Sequence, residues 1–516
     1  MAATALLRSD AGLGDRQFAL ADFLRAETDA EGVEIGRLEL LSGGAIQENW
    51  GIDASFDGGL LSGAQRLVLR TDASTGVPSS LGRVEEFHVL KAVFASGVSV
   101  PEPLFACADK DVIGKPFFVM RRVSGSAAGR PITLDPTLEP ARPAIAEQLG
   151  RELARLQTIR PPRTDLAFLE PYDGPVPRIA EFRAYLDGYP NPRPVLESAL
   201  RWAETHLPER LLPVLCHRDF RTGNYLIANG AGGTRLTAIL DWEFAGWGDP
   251  DEDIGWLCCK GWRFGRLDRE AGGIADRAPF YHGYEAESSR RLDPERVKFW
   301  EVFANIRWAI IALQQSDRFL LGGTRNLSTA ITGRRATECE FELLMLLDSA
   351  GPPNQSSPTG GGGSATARGM GDLPTSRDLL ALARELLLDE LAPLLPPERR
   401  RDAHLAATVM AIAAREQTRE RWQKEVEADL AGFYCGAAPH PDPLPASGER
   451  EGPIEQHWEG EGQRLLCRFA ADLRNGAFET SPSRASAVRA ILWRLTMCKL
   501  REGNPHFLAA NGFKTD

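Results

Sequence analysis

Three features are missing from this sequence of 516 residues: an excess of basic charge, paired cysteines and long apolar runs. Lysine and arginine together number 60 against 71 aspartates and glutamates, and the net charge is −11. This balance argues against general nucleic-acid binding, because that requires a basic face. The 8 cysteines include no C-x-x-C pair. We therefore expect a reduced, cytoplasmic protein without structural zinc.

Apolar runs stay well short of the length that a helix needs to cross a bilayer. Residues 1–10 contain only a short apolar patch and no secretory layout. With 43% hydrophobic and 25% charged residues, the chain has the composition of a globular protein, and its length indicates two or three domains. Neither a membrane nor a nucleic acid is expected as a partner.

Composition changes abruptly near residue 351. Residues 351–371 combine prolines with a Gly-Gly-Gly-Gly-Ser run and carry too little apolar content to fold, which is typical of a flexible linker. We therefore predict one domain over residues 1–350 and a second over 372–516. The second has helical periodicity except at 436–455, where proline, glycine and charge predict a disordered insertion.

Before the linker, strand patterns come first and helical patterns follow. Residues 37–41, 49–56 and 66–71 alternate apolar and polar side chains. Helical spacing begins at 84–94 and dominates from 145 to 347. This order predicts an α+β fold of the bilobal, protein-kinase-like type, with a β-rich N-lobe and a helical C-lobe. A separate all-α domain would follow it.

The most informative stretch is His217-Arg218-Asp219, which follows an apolar run and leads after five residues to Asn224. Seventeen residues further on, another apolar run ends at Asp241. Turn-forming residues at 229–233 separate the runs, so the pattern predicts a hairpin. Such a hairpin returns Asn224 and Asp241 to one end of the paired strands, close to Asp219.

These side chains carry the groups that phosphoryl transfer from ATP requires. One carboxylate accepts or orients the proton of the attacking hydroxyl, while an amide oxygen and a second carboxylate hold the magnesium that bridges the phosphates. Oxygen ligands suit Mg²⁺. In the alternative, Asp219 and Asn224 only form a turn and Asp241 only ends a strand, but turn chemistry does not predict this spacing.

The segments 216–227, 240–243 and 248–256 resemble the aminoglycoside phosphotransferase and choline kinase superfamily of small-molecule kinases. The branch most similar to them contains the kinase-like domains of certain acyl-CoA dehydrogenase fusion proteins. The resemblance covers roughly residues 33–348. It implies ATP and Mg²⁺ as cofactors and a small-molecule hydroxyl as the acceptor.

The resemblance also implies roles for the loop residues. Asp219 is the expected catalytic base, and Asn224 and Asp241 are the expected magnesium ligands. His217 is expected to brace the loop together with Asp253, or else to take part in proton transfer. For Arg221, a cation that neutralises charge on the γ-phosphoryl group and a solvated loop arginine are equal alternatives.

The ATP-binding residues implied in the N-lobe are Ser42, Gly43, Gly44, Arg70, Glu86, Met120 and Arg122. The first three begin a phosphate-covering loop, although a plain hairpin turn is an equal alternative. Arg70 occupies the phosphate-gripping position where lysine is usual, and Glu86 is its expected partner. Backbone groups between Met120 and Arg122 are expected to meet adenine.

The predicted function is therefore phosphoryl transfer to a small-molecule hydroxyl, such as that of a hydroxyacyl-CoA or hydroxy acid. Protein-kinase activity is not expected, because Asp241-Trp242-Glu243 replaces Asp-Phe-Gly and no Ala-Pro-Glu segment follows. The basic, aromatic patch at 260–265 could receive an anionic acceptor, or could be a charged helix end with a packed tryptophan.

A nucleotide-binding pseudoenzyme or regulatory module is the alternative function. The irregular glycine loop and Arg70 motivate it. In that case the helical region after the linker would recruit a partner. This region resembles a small helical family of undefined function, which leaves open a protein partner or self-association.

Overall fold

The computed structural model describes residues 16–41, 47–73, 79–230, 232–321, 327–348, 351–352, 376–416, 419–434, 461–479 and 481–513. The predicted insertion at 436–455 and nearly all of the predicted linker lie outside these residues, as do Ser42, Gly43 and Gly44. Within the described ranges, no helix combines the length and the apolar character that a membrane span requires.

The strands are β1 (Gly32–Leu40), β2 (Gln47–Asp57), β3 (Gly63–Asp72), β4 (Pro103–Cys107), β5 (Phe117–Arg121), β6 (Val214–Cys216), β7 (Tyr225–Gly230), β8 (Gly233–Ile239) and β9 (Gly246–Gly248). The α-helices up to residue 347 are α1 (Gln17–Thr28), α2 (Arg83–Ala95), α3 (Lys110–Ile113), α4 (Gly129–Leu134), α5 (Arg142–Leu156), α6 (Val176–Asp187), α7 (Pro194–Thr205), α8 (Glu252–Cys258), α9 (Arg277–Ser288), α10 (Pro294–Leu320), α11 (Leu327–Arg334) and α12 (Ala336–Leu347). Those that follow are α13 (Ser376–Glu385), α14 (Pro397–Glu416), α15 (Arg419–Tyr434), α16 (Glu461–Arg474), α17 (Pro482–Gly503) and α18 (Pro505–Ala510).

The N-terminal sheet has the strand order β1-β2-β3-β5-β4, and each neighbouring pair is antiparallel. Its middle strand, β3, is buried on both faces, with Leu67 and Leu69 at 0% exposure on one face and Val68 at 7% on the other. Arg70 follows directly on the same strand and is also buried. The sheet therefore carries a guanidinium into its interior, where a charge needs partners.

Two small two-stranded sheets place the catalytic motif. β6 pairs with β9, and β7 pairs with β8, both antiparallel. The loop from His217 to Asn224 connects the two pairs because it lies between β6 and β7. Buried side chains such as Leu215, Phe220 and Tyr225 fix this loop in a core that also contains the apolar face of α5.

The chain divides into two compact units. The first comprises Met1–Gly174 and Glu209–Glu301, and it contains every strand of the described residues. The second comprises Pro175–Pro208 and Val302–Asp516 and is helical where it is described. A bilobal α+β fold with a helix-rich C-terminal region is thus confirmed. The domain limits 1–350, 351–371 and 372–516 stay a prediction.

Within the second unit, ion pairs join helices that are distant in sequence. Glu197 on α7 accepts hydrogen bonds from Arg183 on α6 at 2.6 Å and from Arg474 on α16 at 2.8 and 2.9 Å. The indole of Trp493 on α17 donates to Asp348 at 2.9 Å. The C-terminal helices therefore pack on helices from before the predicted linker.

Candidate active site

The catalytic loop is held in place by the carboxylate of Asp253, at the start of α8. Asp253 accepts the backbone N–H groups of His217 and Arg218, each at 2.7 Å. The two N–H groups compensate the buried carboxylate for its lost hydration. In return, the carboxylate fixes the loop at the point where it leaves β6.

The imidazole of His217 is fully buried and uses both ring nitrogens. Nδ1 accepts the N–H of Asp219 at 3.2 Å, and Nε2 lies 2.8 Å from the carbonyl oxygen of Leu240, to which it donates as a neutral ring. Burial lowers the pKa of His217, against the opposing effect of Asp219 and Asp241. This geometry favours the bracing role over proton transfer, because neither nitrogen is left for a substrate.

Asp219 lies at the centre of the site with three side-chain donors around its carboxylate. Oδ1 accepts from Arg221 Nε and from Trp256 Nε1, both at 2.9 Å. Oδ2 accepts from Asn224 Nδ2 at 2.6 Å. Since a carboxylate offers about four lone-pair positions, the remaining capacity lies chiefly on Oδ2. That atom can accept the proton of an acceptor hydroxyl.

The amide of Asn224 is oriented by the same contacts. Its nitrogen donates to the backbone and side-chain oxygens of Asp219, so its oxygen remains for a cation. The carbonyl of Asn224 accepts the N–H of Leu240 at 2.8 Å, which brings Asp241 next to Asn224 as predicted from the hairpin. Asn224 Oδ1 and the Asp241 carboxylate are hard oxygen donors and therefore fit Mg²⁺.

Backbone conformations in the left-handed region cluster in this site. Arg218 has a φ of 63° and Asp241 a φ of 64°, which non-glycine residues rarely adopt. Gly223 has a φ of 106°, and a Cβ there would lie 2.8 Å from a guanidinium nitrogen of Arg221. Because other residues rarely adopt this φ, a side chain at position 223 would strain the backbone, and glycine is favoured there.

Arg221 contacts three residues, one of which is Thr222, whose carbonyl oxygen accepts from Nη1 at 3.2 Å. In addition to its hydrogen bond to Asp219, its guanidinium lies over the ring of Trp262, 4.6 Å from the centroid. A cation held beside the reacting position can neutralise charge on a phosphoryl group. The role itself stays a prediction.

Arg70 and Glu86 form the predicted pair in the N-lobe, with Nε and Oε1 3.0 Å apart and both side chains buried. The fork of Arg70 also reaches Asp241, because Nη1 lies 2.8 Å from Oδ1 of that residue. Its nearby carboxylates raise the pKa of Arg70 despite burial. Burial raises the pKa of Glu86, and the two neighbouring arginines, Arg70 and Arg83, oppose that shift.

Sequence reasoning missed the residues that tie this pair to the segment between β8 and β9. Glu243 accepts from Gln47 at 2.6 Å and from Ser80 at 2.8 Å. Arg83, fully buried at the start of α2, contacts Glu86 and lies 3.9 Å from Glu243. The only sequence signal was that Glu243 ends the Asp-Trp-Glu triplet. Its partners lie about 160 to 200 positions earlier in the chain.

The hinge candidates lie at the end of β5. Met120 is half-buried and pairs with Val68 across the sheet. The backbone N–H of Arg121 donates to the carbonyl oxygen of Glu102 at 2.9 Å, and that of Arg122 donates to the carbonyl oxygen of Arg66 at 3.0 Å. These two donors are therefore already engaged, and the assignment of Met120 and Arg122 to adenine stays a prediction.

The patch at 260–265 is less available than its sequence suggests. Arg263 is buried and donates to the carbonyl oxygens of Leu267 and Cys258 at 2.8 and 2.7 Å. Trp262 is buried beneath Arg221. Arg263 is thus a structural cation, and the aromatic residue acts on the site through Arg221.

Comparison with known proteins identifies the family of the chain. The sequence profile of the phosphotransferase enzyme family, APH, matches residues 38–300, which is just over half of the chain. The chain belongs to this family.

Similar proteins include acyl-CoA dehydrogenase family member 10 of Mus musculus, which is 31% identical over 198 residues, or 38% of this chain and 18% of that protein. Family member 11 of Homo sapiens is 31% identical over 200 residues, or 38% of this chain and 25% of that protein. The chain thus spans a quarter or less of these relatives.

A solved structure with the same fold is that of a candidate aminoglycoside phosphotransferase from Ralstonia eutropha JMP134. It is 23% identical, covers 63% of this chain and 95% of its own, and gives a TM-score of 0.51. At this identity the likeness supports the fold alone.

Proposed function

We propose that this member of the phosphotransferase family transfers the γ-phosphoryl group of ATP, with Mg²⁺, to a hydroxyl group of a small molecule. The observation that carries the proposal is the joined geometry of Asp219, Asn224 and Asp241. One carboxylate keeps an oxygen for a hydroxyl proton, and two oxygen donors for a cation lie beside it.

The residues of the candidate site have separate tasks in this reaction. Asp219 Oδ2 orients the acceptor hydroxyl and takes its proton as the bond to phosphorus forms. Arg221 neutralises charge on the transferred group, and Arg70 binds the phosphates of ATP. Asn224 and Asp241 would hold Mg²⁺, which when bound would supply charge neutralisation for the phosphates.

For the acceptor, we propose a hydroxyacyl-CoA or hydroxy acid. The support comes from the similar proteins. They bear the name acyl-CoA dehydrogenase family members, and the region that matches this chain is a quarter or less of their length. Arg221 and the aromatic residue beneath it add a cationic, partly apolar wall next to the base.

The test is a screen for magnesium-dependent ATP consumption with hydroxyacyl-CoAs, hydroxy acids, amino alcohols and aminoglycosides. Asp219→Ala should abolish turnover with the true acceptor, whereas Asp22→Asn, at an exposed aspartate of the same unit, should not. Unchanged turnover in Asp219→Ala would refute the proposal.

One observation favours a second function, that of a nucleotide-binding pseudoenzyme or regulatory module. Arg70 Nη1 holds Asp241, the proposed metal ligand, at 2.8 Å. If this ion pair persisted with nucleotide, Oδ1 of Asp241 would stay with Arg70, and magnesium would be bound less tightly. In that case calorimetry would detect nucleotide binding, but no acceptor would give a phosphorylated product.

A further inference from the structure

A cavity of about 630 Å³ lies in the first unit, and its lining contains none of the described residues that we propose for catalysis or ATP binding. Its walls are the β7–β8 hairpin, one face of α5, Ser99 and the segment Val123 and Ser124 that follows β5. A cavity of this volume accommodates a molecule of nucleotide size.

The polar wall follows from the periodicity of α5. Gln148, Arg151, Glu152 and Arg155 recur at helical spacing and line the cavity. The opposite face of the helix is apolar and lies in the core, as Leu149 and Leu153, both at 0% exposure, demonstrate. The helix thus presents two arginines to the cavity.

The hydrogen-bond acceptors in this wall are already used. Glu152 accepts the backbone N–H and the hydroxyl of Ser99 at 2.7 and 2.9 Å, and a guanidinium hydrogen bond from Arg155 at 3.2 Å. The side-chain oxygen of Gln148 accepts the N–H of Leu236 at 3.0 Å. Little acceptor capacity therefore remains for a ligand.

The donors are in surplus. The amide nitrogen of Gln148 keeps its hydrogens, because only its oxygen is used in that contact. Arg151 pairs through one nitrogen with Glu147 at 2.6 Å. Arg235 is exposed on β8, and no hydrogen bond or ion pair joins its side chain to another described residue. Arg155, by contrast, is paired with Glu152 and also with Glu287, to which Nε and Nη2 donate at 3.0 and 3.3 Å, so Arg151 and Arg235 are the guanidinium groups that keep donors for a ligand.

We propose that this cavity is a second ligand site, for a small phosphorylated molecule bound by Arg151, Arg235 and the amide of Gln148. Phosphate oxygens are pure acceptors, and arginine forks match their geometry. The bound molecule would contact the segment after β5 and the strand that leads to Asp241. The proposal is independent of the proposed phosphotransfer.

The test uses pyrophosphate as the probe and the full-length protein in EDTA, with binding measured by calorimetry. Arg151→Gln with Arg235→Gln removes two charge-assisted contacts, so pyrophosphate should bind at least about tenfold more weakly. The matched control is Arg25→Gln with Arg66→Gln, which removes the same charge from exposed positions of the same unit and should bind as the wild type does.

Hydrogen exchange locates the bound probe. Protection of residues 148–155 and 228–237 in the wild type supports the site. The proposal is overturned if no saturable binding occurs, if the Arg151/Arg235 variant binds equally, or if protection is confined to residues 217–224. The last result would place the probe in the candidate active site instead.

Discussion

Two buried clusters of charge in the first unit use the same residue types differently. The site cluster consists of Arg70, Arg83, Glu86, Asp241 and Glu243. The second cluster, which we call the support cluster, consists of Asp249, Asp251, Arg290 and Arg296. Both place arginine forks against carboxylates, yet their exposure and their unused hydrogen-bonding capacity differ.

The support cluster is closed, in the sense that its carboxylates are engaged by arginines within the cluster. Arg296 makes two contacts to Asp249 at 2.8 and 3.0 Å and one to Asp251 at 2.9 Å, and Asp251 is fully buried. In the site cluster, by contrast, the Asp241 side chain is 38% exposed and Arg70 Nη2 has no hydrogen-bond partner. Unused hydrogen-bonding capacity thus distinguishes the site cluster, which can receive a ligand. The other cluster has its hydrogen bonds filled and only supports α8.

The largest expected effect comes from breaking the closed cluster. Asp251→Ala leaves Arg290 and Arg296 without their shared buried carboxylate, which should cost about 3–5 kcal/mol of unfolding free energy. Urea unfolding measures it. Asp173→Ala, which removes an exposed ion pair to Arg210, should change stability by less than about 1 kcal/mol. Equal effects in the two variants would contradict the distinction.

Asp241→Asn should separate activity from stability. The variant keeps the shape of a partly exposed side chain but removes the charge that would hold Mg²⁺, so the turnover rate should fall at least about 10²-fold. The unfolding free energy should change by no more than about 1 kcal/mol. A stability loss as large as that of Asp251→Ala would mean that the site cluster is also structural.

Arg70→Lys sharpens the comparison within the site cluster. One ammonium cannot reproduce the fork that spans Glu86 and Asp241, so the variant should lose about 2 kcal/mol of unfolding free energy. Arg66→Lys, at an exposed position of the same strand, serves as the control and should be neutral. Full stability in Arg70→Lys would argue against the two-sided pairing.

The smallest effect is a pH dependence from His217. Because burial lowers its pKa, the unfolded chain binds a proton below about pH 6.5 that the folded state refuses. Stability should therefore decrease as the pH falls below that value, by at most about 1.4 kcal/mol per pH unit. His217→Asn should flatten this slope between pH 7 and 5.5, and the exposed His282→Asn should not.

Strand and helix positions in the N-lobe were predictable because apolar periodicity is local. The patterns at 49–56 and 66–71 correspond to β2 and β3, and that at 84–94 corresponds to α2. The elements that were missed include β4, which begins at Pro103, and β9, which is only three residues long. Short edge pairings carry too little pattern to be recognised.

The sequence alone determined the loop that carries Asp219 and Asn224, because a five-residue spacing on one loop fixes which groups meet. It also indicated that Asp241 returns to that loop. Only the tertiary structure decided that Trp256 donates to Asp219, that Arg70 reaches Asp241, and that Arg83 and Gln47 converge on Glu243. The physical reason is that such contacts join positions far apart in the chain, and each buried charge finds its partners only when the elements pack.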